Sequence, residues 1–171
     1  MKRKNLKLYD VPKIATIQEM VLNNTQKYSS KLALEDLNNT PISKVTYAQL
    51  LDNILRFGHA LNQLGLKERS HIALISENRV QWAISFLTCA CFNYVVVPID
   101  KNLTENEIFN IIYESDSEAI IFSENYSESF TKLSSYKKLK HFICMDKTKT
   151  DDSFMIMTDM IEQSIPVSIN N

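Results

Sequence analysis

Residues 89–100 read CACFNYVVVPID, in which four strand-forming residues follow an asparagine and lead into Pro-Ile-Asp. An unbroken apolar run of this kind is typical of a strand that is buried on both faces of a parallel sheet. In proteins with such sheets, ligands bind in the crevice beyond the carboxyl ends of the strands. The stretch therefore predicts an α/β fold, and it directs the search for a binding site to the residues that follow each strand.

The chain around this stretch alternates predicted strands with predicted helices. Thr104 and Glu107 form a capping box, the pattern that marks a helix start. Strands separated by helices imply right-handed crossovers, so we expect a parallel sheet with flanking helices. The four predicted strands are HIALIS (71–76), NYVVVPI (93–99), EAIIFSE (118–124) and HFICMD (141–146), and the helices span about residues 78–92, 104–115 and 126–138.

A helix and a β-hairpin are predicted before this alternating part. Thr16 is a capping residue for a helix over residues 17–30. LALED (32–36) and ISKVTY (42–47) have the composition of strands, and the turn residues Asn38–Pro41 lie between them. We therefore expect one helix followed by an antiparallel pair.

The longest predicted helix covers residues 47–65. Thr46 and Gln49 form a second capping box at its start, and Gly65 is a typical C-terminal stop. Gly58 lies on the apolar face, which suggests close packing against a neighbouring element. The apolar face comprises Leu50, Leu51, Ile54, Leu55, Gly58, Leu61 and Leu64.

The length of 171 residues predicts one domain with short appended segments. After Asp146 the composition becomes polar, and a weak helix is predicted around Met157–Gln163. We divide the chain into a basic N-terminal segment (1–15), an α/β domain (16–146), and a linker with a weak helix that leads to a missing remainder (147–171).

The composition argues against several function classes. The net charge of −1 gives no attraction to nucleic acid. No stretch approaches the roughly 20 apolar residues that span a bilayer, and the basic start lacks the apolar core of a signal peptide. We expect a cytoplasmic protein, and peripheral membrane contact stays open. The basic clusters are interpreted as solvated, and they comprise Lys2, Arg3, Lys4, Lys7, Lys137, Lys138 and Lys140. The glycosylation sequons are interpreted as chance matches, and they lie at Asn23, Asn38, Asn102 and Asn125.

The sequence also lacks the common catalytic patterns. Two glycines, Gly58 and Gly65, cannot build a phosphate-binding loop, so a Walker motif and a GxGxxG motif are both excluded. A phosphoacceptor receiver domain is disfavoured because Ser76, Glu77 and Asn78 stand where its paired acids would be.

The remaining candidate groups have structural interpretations. Asp100 is the one acid at the carboxyl end of a predicted core strand, and we interpret it as a turn or capping residue. An odd number of cysteines fits a reducing compartment, and Cys89 and Cys91 are interpreted as packing residues. The histidines His59, His71 and His141 are scattered and are interpreted as surface or packing side chains. No catalytic, cofactor-binding or metal-ligating residue is predicted.

The order of segments resembles a known family. VTYAQL (45–50), LNQLGLKERSHIALISENRVQW (61–82) and CFNYVVVPIDKNLTENEIFNIIYESDSEAIIFSE (91–124) are similar to the N-terminal region of the acyl-adenylate-forming, or AMP-binding, enzymes. SENRVQW and the segments LTENEI and ESDSEAIIF are most similar to the long-chain fatty acid-CoA ligases. The resemblance covers about residues 16–146, and it implies the N-terminal subdomain of the acyl-adenylate-forming fold.

The resemblance implies an activity for a complete enzyme. Such a ligase joins a fatty acid to ATP, releases pyrophosphate and transfers the acyl group to coenzyme A. ATP, Mg and CoA are thus implied for the full enzyme, and none is expected to bind this chain. The phosphate loop of the family would begin just after residue 171, so we expect this chain to be an inactive N-terminal fragment.

Two local departures from the family pattern concern turns. Arg69 and Ser70 stand where the family usually has Gly-Asp, and Asn93 stands where it has glycine. Because asparagine tolerates left-handed backbone, the turn at Asn93 can keep its geometry.

The expected partners are the remainder of the same enzyme and its fatty acid substrate, and a homodimer stays open. The alternative is a free-standing α/β interaction module that descends from such an enzyme, in which an uncovered apolar face would bind a protein partner.

Overall fold

The computed structural model describes residues 13–37, 42–146 and 154–169. The turn predicted at Asn38–Pro41, the basic residues near the N-terminus and most of the predicted polar linker lie outside these ranges. The elements, in chain order, are α1 (Ile17–Tyr28), β1 (Leu32–Glu35), β2 (Lys44–Thr46), α2 (Tyr47–Gln63), β3 (His71–Ile75), α3 (Val80–Cys91), β4 (Val95–Pro98), α4 (Glu105–Glu114), β5 (Ala119–Phe122), α5 (Ser127–Thr131), β6 (His141–Cys144), β7 (Met155–Ile156) and α6 (Met157–Gln163).

Five strands form one sheet in the order β4-β3-β5-β6-β7, and every neighbouring pair is parallel. β1 and β2 form a separate antiparallel pair. The predicted α/β class, the hairpin and the four predicted strands are therefore confirmed. β7 was not predicted, because two apolar residues before a helix are too short to give a strand signal.

The predicted helix starts are confirmed in detail. Thr16 Oγ1 accepts a hydrogen bond from Glu19 N at 3.0 Å. The reciprocal capping boxes of Thr46 with Gln49 and of Thr104 with Glu107 are both formed. Each satisfies backbone N–H groups that have no partner within the helix.

The single helix predicted over residues 126–138 is wrong. One turn of α-helix, α5, lies between two 3₁₀ segments, Glu124–Tyr126 and Lys132–Ser135. Phe130 and Leu133 are buried there, Tyr126 and Tyr136 are half-buried, and the other side chains are polar. A segment with only two buried side chains does not gain enough from packing to extend the helix.

The sheet separates two hydrophobic cores. Alternate strand residues face opposite sides, so Ile72 and Leu74 contribute to one core while Ala73 and Ile75 contribute to the other. The first core is covered by α1, α2, α3 and α6, and the second by α4 and α5. The crossovers β3–α3–β4 and β4–α4–β5 run in opposite directions along the sheet, which places their helices on opposite faces.

α2 contacts the end of α3 at Gly58, as its place on the apolar face predicted. A Cβ at Gly58 would lie 2.1 Å from the nearest ring carbon of Phe92, so no larger residue fits unless this ring moves. Phe57 and Ala60 are also buried, although the predicted apolar face left them out.

Among the described residues, three that are not glycine have left-handed backbone where the chain enters strands. Arg69 (φ 65°) precedes β3, Asn93 (φ 58°) precedes β4 and Asp116 (φ 52°) precedes β5. Arg69 N donates to Asn93 O at 2.8 Å, so two of these turns are joined. Both departures from the family pattern, at Arg69 and Asn93, thus keep a conformation that normally favours glycine.

β4 forms one edge of the described sheet. Val95 N donates to Ser70 O and Ile99 N donates to Leu74 O, so these residues turn their backbone toward β3. Along a strand, alternate residues turn their backbone groups to opposite sides. The backbone groups of Tyr94, Val96 and Pro98 therefore point toward the open edge.

Candidate functional site

The sheet has one topological switch point, between β3 and β5. The chain leaves β3 toward β4 on one side, and it leaves β5 toward β6 on the other. Ligands of open α/β sheets bind in the crevice at the carboxyl ends of the strands at such a point. The residues that follow β3, β5 and β6 are therefore the candidate functional site.

The centre of this edge is a buried ion pair. The Arg79 guanidinium donates to both carboxylate oxygens of Asp146, at 2.8 and 2.5 Å. The Arg79 side chain is 5% exposed and that of Asp146 is 18% exposed. Arg79 Nε donates to Gln81 Oε1, and Asp146 Oδ2 also accepts from Glu124 N. The pair therefore links the chain after β3 with the ends of β5 and β6.

The environment of Asp146 favours its charged form. Burial acts to raise the pKa of the carboxyl group, but hydrogen bonds from Arg79 and from Glu124 N, together with the Arg79 charge, outweigh it. The pKa of Asp146 consequently lies below its usual value. Asp146 was missed as an acid at the end of a core strand, because Arg79 lies 67 positions away and gives no local signal.

A hydrogen bond crosses the crevice itself. Asn125 Nδ2 donates to Glu77 Oε1 at 2.7 Å, joining the residues after β3 to those after β5. Burial acts to raise the pKa of Glu77, while hydrogen bonds from Asn125 and other groups and the Arg79 charge bring it below its ordinary value. Burial, with Glu77 and Asp100 nearby, raises the pKa of Tyr126. This part of the edge thus holds carboxylates beside a neutral phenol.

Asp100 has the turn role that the sequence predicted. Its Oδ1 accepts hydrogen bonds from Asn102 N at 2.9 Å and from Asn102 Nδ2 at 3.0 Å. A carboxylate that accepts from the backbone two residues later stabilises an Asx turn. The carboxylate of Asp100 therefore holds the loop between β4 and α4.

The cysteines are not brought together into a site, and Cys89 and Cys91 are packing residues as predicted. Cys89, Cys91 and Cys144 are buried free thiols, and burial raises the pKa of Cys89 to about 12 and those of Cys91 and Cys144 to about 11. Such thiols stay protonated and are poor nucleophiles.

The histidines lie on separate elements. His71 Nδ1 contacts Ser115 O at 2.5 Å before β5, while His59 lies on α2. Burial, followed by the charge of Lys140, lowers the pKa of His141 at the start of β6. Among the described residues, no hydrogen bond or ion pair joins any of these three histidines to the ion pair of Arg79 with Asp146.

Two features are absent from the described residues. No group of three or more His, Cys, Asp or Glu side chains within residues 13–37, 42–146 and 154–169 has the geometry of a metal site. Over the same ranges, none of the helices has the length and apolarity that crossing a membrane requires.

The geometry indicates a framework at this edge. The guanidinium of Arg79 is already paired with Asp146, and the carboxylate of Glu77 lies close enough to feel its charge. A polyphosphate needs free cations or several converging backbone N–H groups. The described residues of the edge therefore do not fit ATP, and they are arranged to hold strand ends together.

A protein family and several known proteins are similar to this chain. The family model for "AMP-binding enzyme" matches residues 22–163. The long-chain-fatty-acid–[acyl-carrier-protein] ligase AEE15 of Arabidopsis thaliana is 32% identical over 122 residues, which cover 68% of this chain and 17% of that protein. The 2-succinylbenzoate–CoA ligase of Oceanobacillus iheyensis is 30% identical over 87 residues, covering 51% of this chain and 18% of that protein.

A solved structure shows the same fold. The crystal structure of coronafacic acid ligase from Pectobacterium brasiliense matches with a TM-score of 0.81 at 19% identity, over 92% of this chain and 31% of that one. The chain thus spans less than a fifth of the two sequence relatives and about a third of this structure.

Proposed function

Because this chain belongs to the AMP-binding enzyme family, we propose that it is the N-terminal framework of a ligase that activates a long-chain fatty acid as its acyl-adenylate. The observation that carries this proposal is the carboxyl edge of the sheet, where Arg79 bonds to Asp146 and Asn125 bonds to Glu77. The resemblance inferred from VTYAQL and NYVVVPID is confirmed for the family.

The choice of acid is supported by relatives. Long-chain fatty acid is the substrate named for the Arabidopsis relative and for long-chain-fatty-acid–CoA ligase 5 of Rattus norvegicus, while other relatives are named for succinylbenzoate and hydroxybutyrate. We propose a long-chain acid for the complete enzyme and coenzyme A as the thiol that receives the acyl group. ATP and Mg would bind residues outside this chain.

Residues 1–171 are proposed to be inactive as a separate protein. Adenylation requires the carboxylate to be held in line with the α-phosphate while charge is neutralised there. The edge of this sheet offers paired side chains instead. We also propose residues 16–146 as the α/β unit, and a cytoplasmic location is supported by the three free thiols.

The first experiment measures ATP–pyrophosphate exchange that depends on a carboxylate, using the purified chain. We expect exchange at the level of the heat-inactivated sample for every acid in a series from butyrate to stearate. Exchange that saturates with any acid would contradict the proposed inactivity. A longer protein, expressed from the gene so that it includes the remainder of the proposed ligase, should show its highest kcat/KM with the long-chain acids of this series.

A matched pair of variants tests the framework role in the extended protein. Glu77→Gln removes a charge at the crevice but keeps an oxygen that accepts from Asn125. Glu105→Gln changes an exposed acid on α4 and serves as the control. If the edge is framework, the KM for ATP stays within about two-fold of the parent in both variants. A larger rise for Glu77→Gln alone would place Glu77 in the nucleotide site.

A further inference from the structure

The last described segment of the chain is attached differently from the rest of the sheet. We use the name C-terminal strap for residues 154–169, which contain β7, α6 and the residues that follow them. β7 pairs with β6 through two residue pairs, Ile143 with Met155 and Cys144 with Ile156. β5 and β6 pair through four. The strap therefore has a short ladder at the sheet edge.

Two open grooves separate the C-terminal strap from the helices beside it. A groove of about 280 Å³ is lined on one side by Ala60 and Leu64 of the α2 region and on the other by Met155 and Met160. A second groove, of about 410 Å³, lies between the end of the strap and the side chains of His59, Asn62 and Phe92. Atoms beside an open groove lack dispersion contacts on one side, so the strap is less well packed than the core.

The surface of α3 beneath the C-terminal strap is polar. Gln81, Ser85 and Thr88 are fully buried and lie on one face of α3 because they are four and three positions apart. Ser85 Oγ donates to Gln81 O and lies 3.7 Å from Met157 Sδ of the strap. Gln81 Nε2 and Thr88 Oγ1 are buried without a hydrogen-bond partner. Water would satisfy both atoms if this face were exposed.

Apolar side chains and one polar bond hold the C-terminal strap in place. The ring of Phe154 lies 5.1 Å from that of Phe122, Met157 is fully buried and Ile161 is 6% exposed. At the end of α6, Arg56 Nη1 of α2 donates to Ser164 O at 2.5 Å. Arg56 Nε also pairs with Asp52, one helical turn earlier on α2.

We propose that the C-terminal strap is a conformational device that detaches as a unit while the rest of the domain stays folded. Detachment would separate β7 from β6, withdraw Phe154, Met157 and Ile161, and uncover α3 at Ser85, which contacts Met157. The domain would then have a second, open state in which water reaches the polar face of α3. The proposal is independent of the proposed ligase activity.

Hydrogen exchange of the purified chain, followed by mass spectrometry, tests the proposal. We expect the backbone amides of residues 155–163 to exchange at least about ten-fold faster than those of β5, because they open without global unfolding. Equal, slow exchange of the two segments would overturn the proposal, since the strap would then open only when the whole domain unfolds.

A pair of variants isolates the anchor at Ser164. Arg56→Ala and Asp52→Ala both remove the ion pair on α2, but only Arg56→Ala removes the bond to Ser164 O. We expect Arg56→Ala to raise the exchange of residues 155–163 about three- to ten-fold and Asp52→Ala to leave it nearly unchanged, with β3 and β5 unaffected in both. Equal effects of the two variants would show that Arg56 does not hold the strap.

A variant of the polar face of α3 should have the opposite effect. Thr88→Val replaces a buried hydroxyl that has no partner with a methyl group, so the closed state should become more stable and residues 155–163 should exchange more slowly than in the parent. Gln26→Leu, at an exposed position of α1, is the control and should leave that exchange unchanged. Faster or unchanged exchange in Thr88→Val, with β5 still protected, would contradict the role given to this face.

Discussion

At the amino ends of the strands the chain turns through left-handed residues at the surface, whereas at the carboxyl ends a buried ion pair links the segments that follow the strands. Arg69, Asn93 and Asp116 have positive φ angles, a local cost that each residue carries on its own. Arg79 and Asp146 instead depend on each other, because either charge left alone would be buried without a partner. The first edge should tolerate substitution one residue at a time, and the second should not.

The largest effect is expected at the carboxyl edge. Asp146→Ala leaves the buried guanidinium of Arg79 unpaired, and we expect the free energy of unfolding to fall by about 3 kcal/mol. Urea denaturation measures this difference. Lys138→Ala breaks the exposed ion pair of Lys138 with Asp116 at the amino edge, and it should leave the urea midpoint unchanged. Similar losses in the two variants would remove the distinction between the edges.

A second substitution locates the least tolerant point near the amino edge. Gly58→Ala places a methyl group against the ring of Phe92, which directly precedes Asn93, and we expect a loss of about 1–3 kcal/mol by thermal or urea unfolding. Gly58→Ala combined with Phe92→Leu should lose less than the sum of the two single variants, because the smaller side chain gives the methyl group room. Additive losses would mean that the two residues do not compete for the same space.

Glycine substitutions at the left-handed turns should raise the free energy of unfolding. Arg69→Gly relieves the backbone cost of a long side chain at positive φ, and we expect a net gain of about 0.5–1 kcal/mol after the added entropy of the unfolded chain. Asn93→Gly should gain only a few tenths of a kcal/mol, because asparagine tolerates this conformation. Arg69→Ala is the control and should show no gain in the same urea experiment. A gain for alanine equal to that for glycine would assign the effect to the side chain of Arg69 and not to its backbone.

The smallest effect concerns pH. Hydrogen bonds from Ser70 and then from Lys140 lower the pKa of Glu118 at the amino edge. A lowered folded pKa contributes stability above the unfolded value, and this contribution is lost as pH falls through the folded value. Unfolding free energies measured between pH 7 and pH 3 should therefore fall less steeply in Glu118→Gln than in the parent. Parallel curves would show that Glu118 has the same pKa in both states.

The sequence predicted what local patterns encode. Thr46 with Gln49, Thr104 with Glu107 and the weak helix Met157–Gln163 were all confirmed, because capping and helical spacing act over a few residues. The ion pair of Arg79 with Asp146 was not predictable, since only the parallel pairing of β3, β5 and β6 brings the two side chains together.

The same limit explains the other differences. β7 exists because β6 offers it an edge, and the burial of Phe57 and Ala60 follows from α2 packing against α3, which no local pattern reports. For the candidate site, the predicted turn role of Asp100 was confirmed, while the bond between Glu77 and Asn125 depends on the order of strands in the sheet.

The outward-facing backbone of β4 has a consequence for aggregation. Of its three outward residues, Tyr94 already donates its N–H to Cys89 O, and Pro98 has none to donate. Val96 is left with the one amide hydrogen that a foreign strand could use. Proline on an edge strand is a common protection against amyloid-like growth. A newly made copy of this domain, with three valines at its rim, would therefore be a poor template for fibril formation.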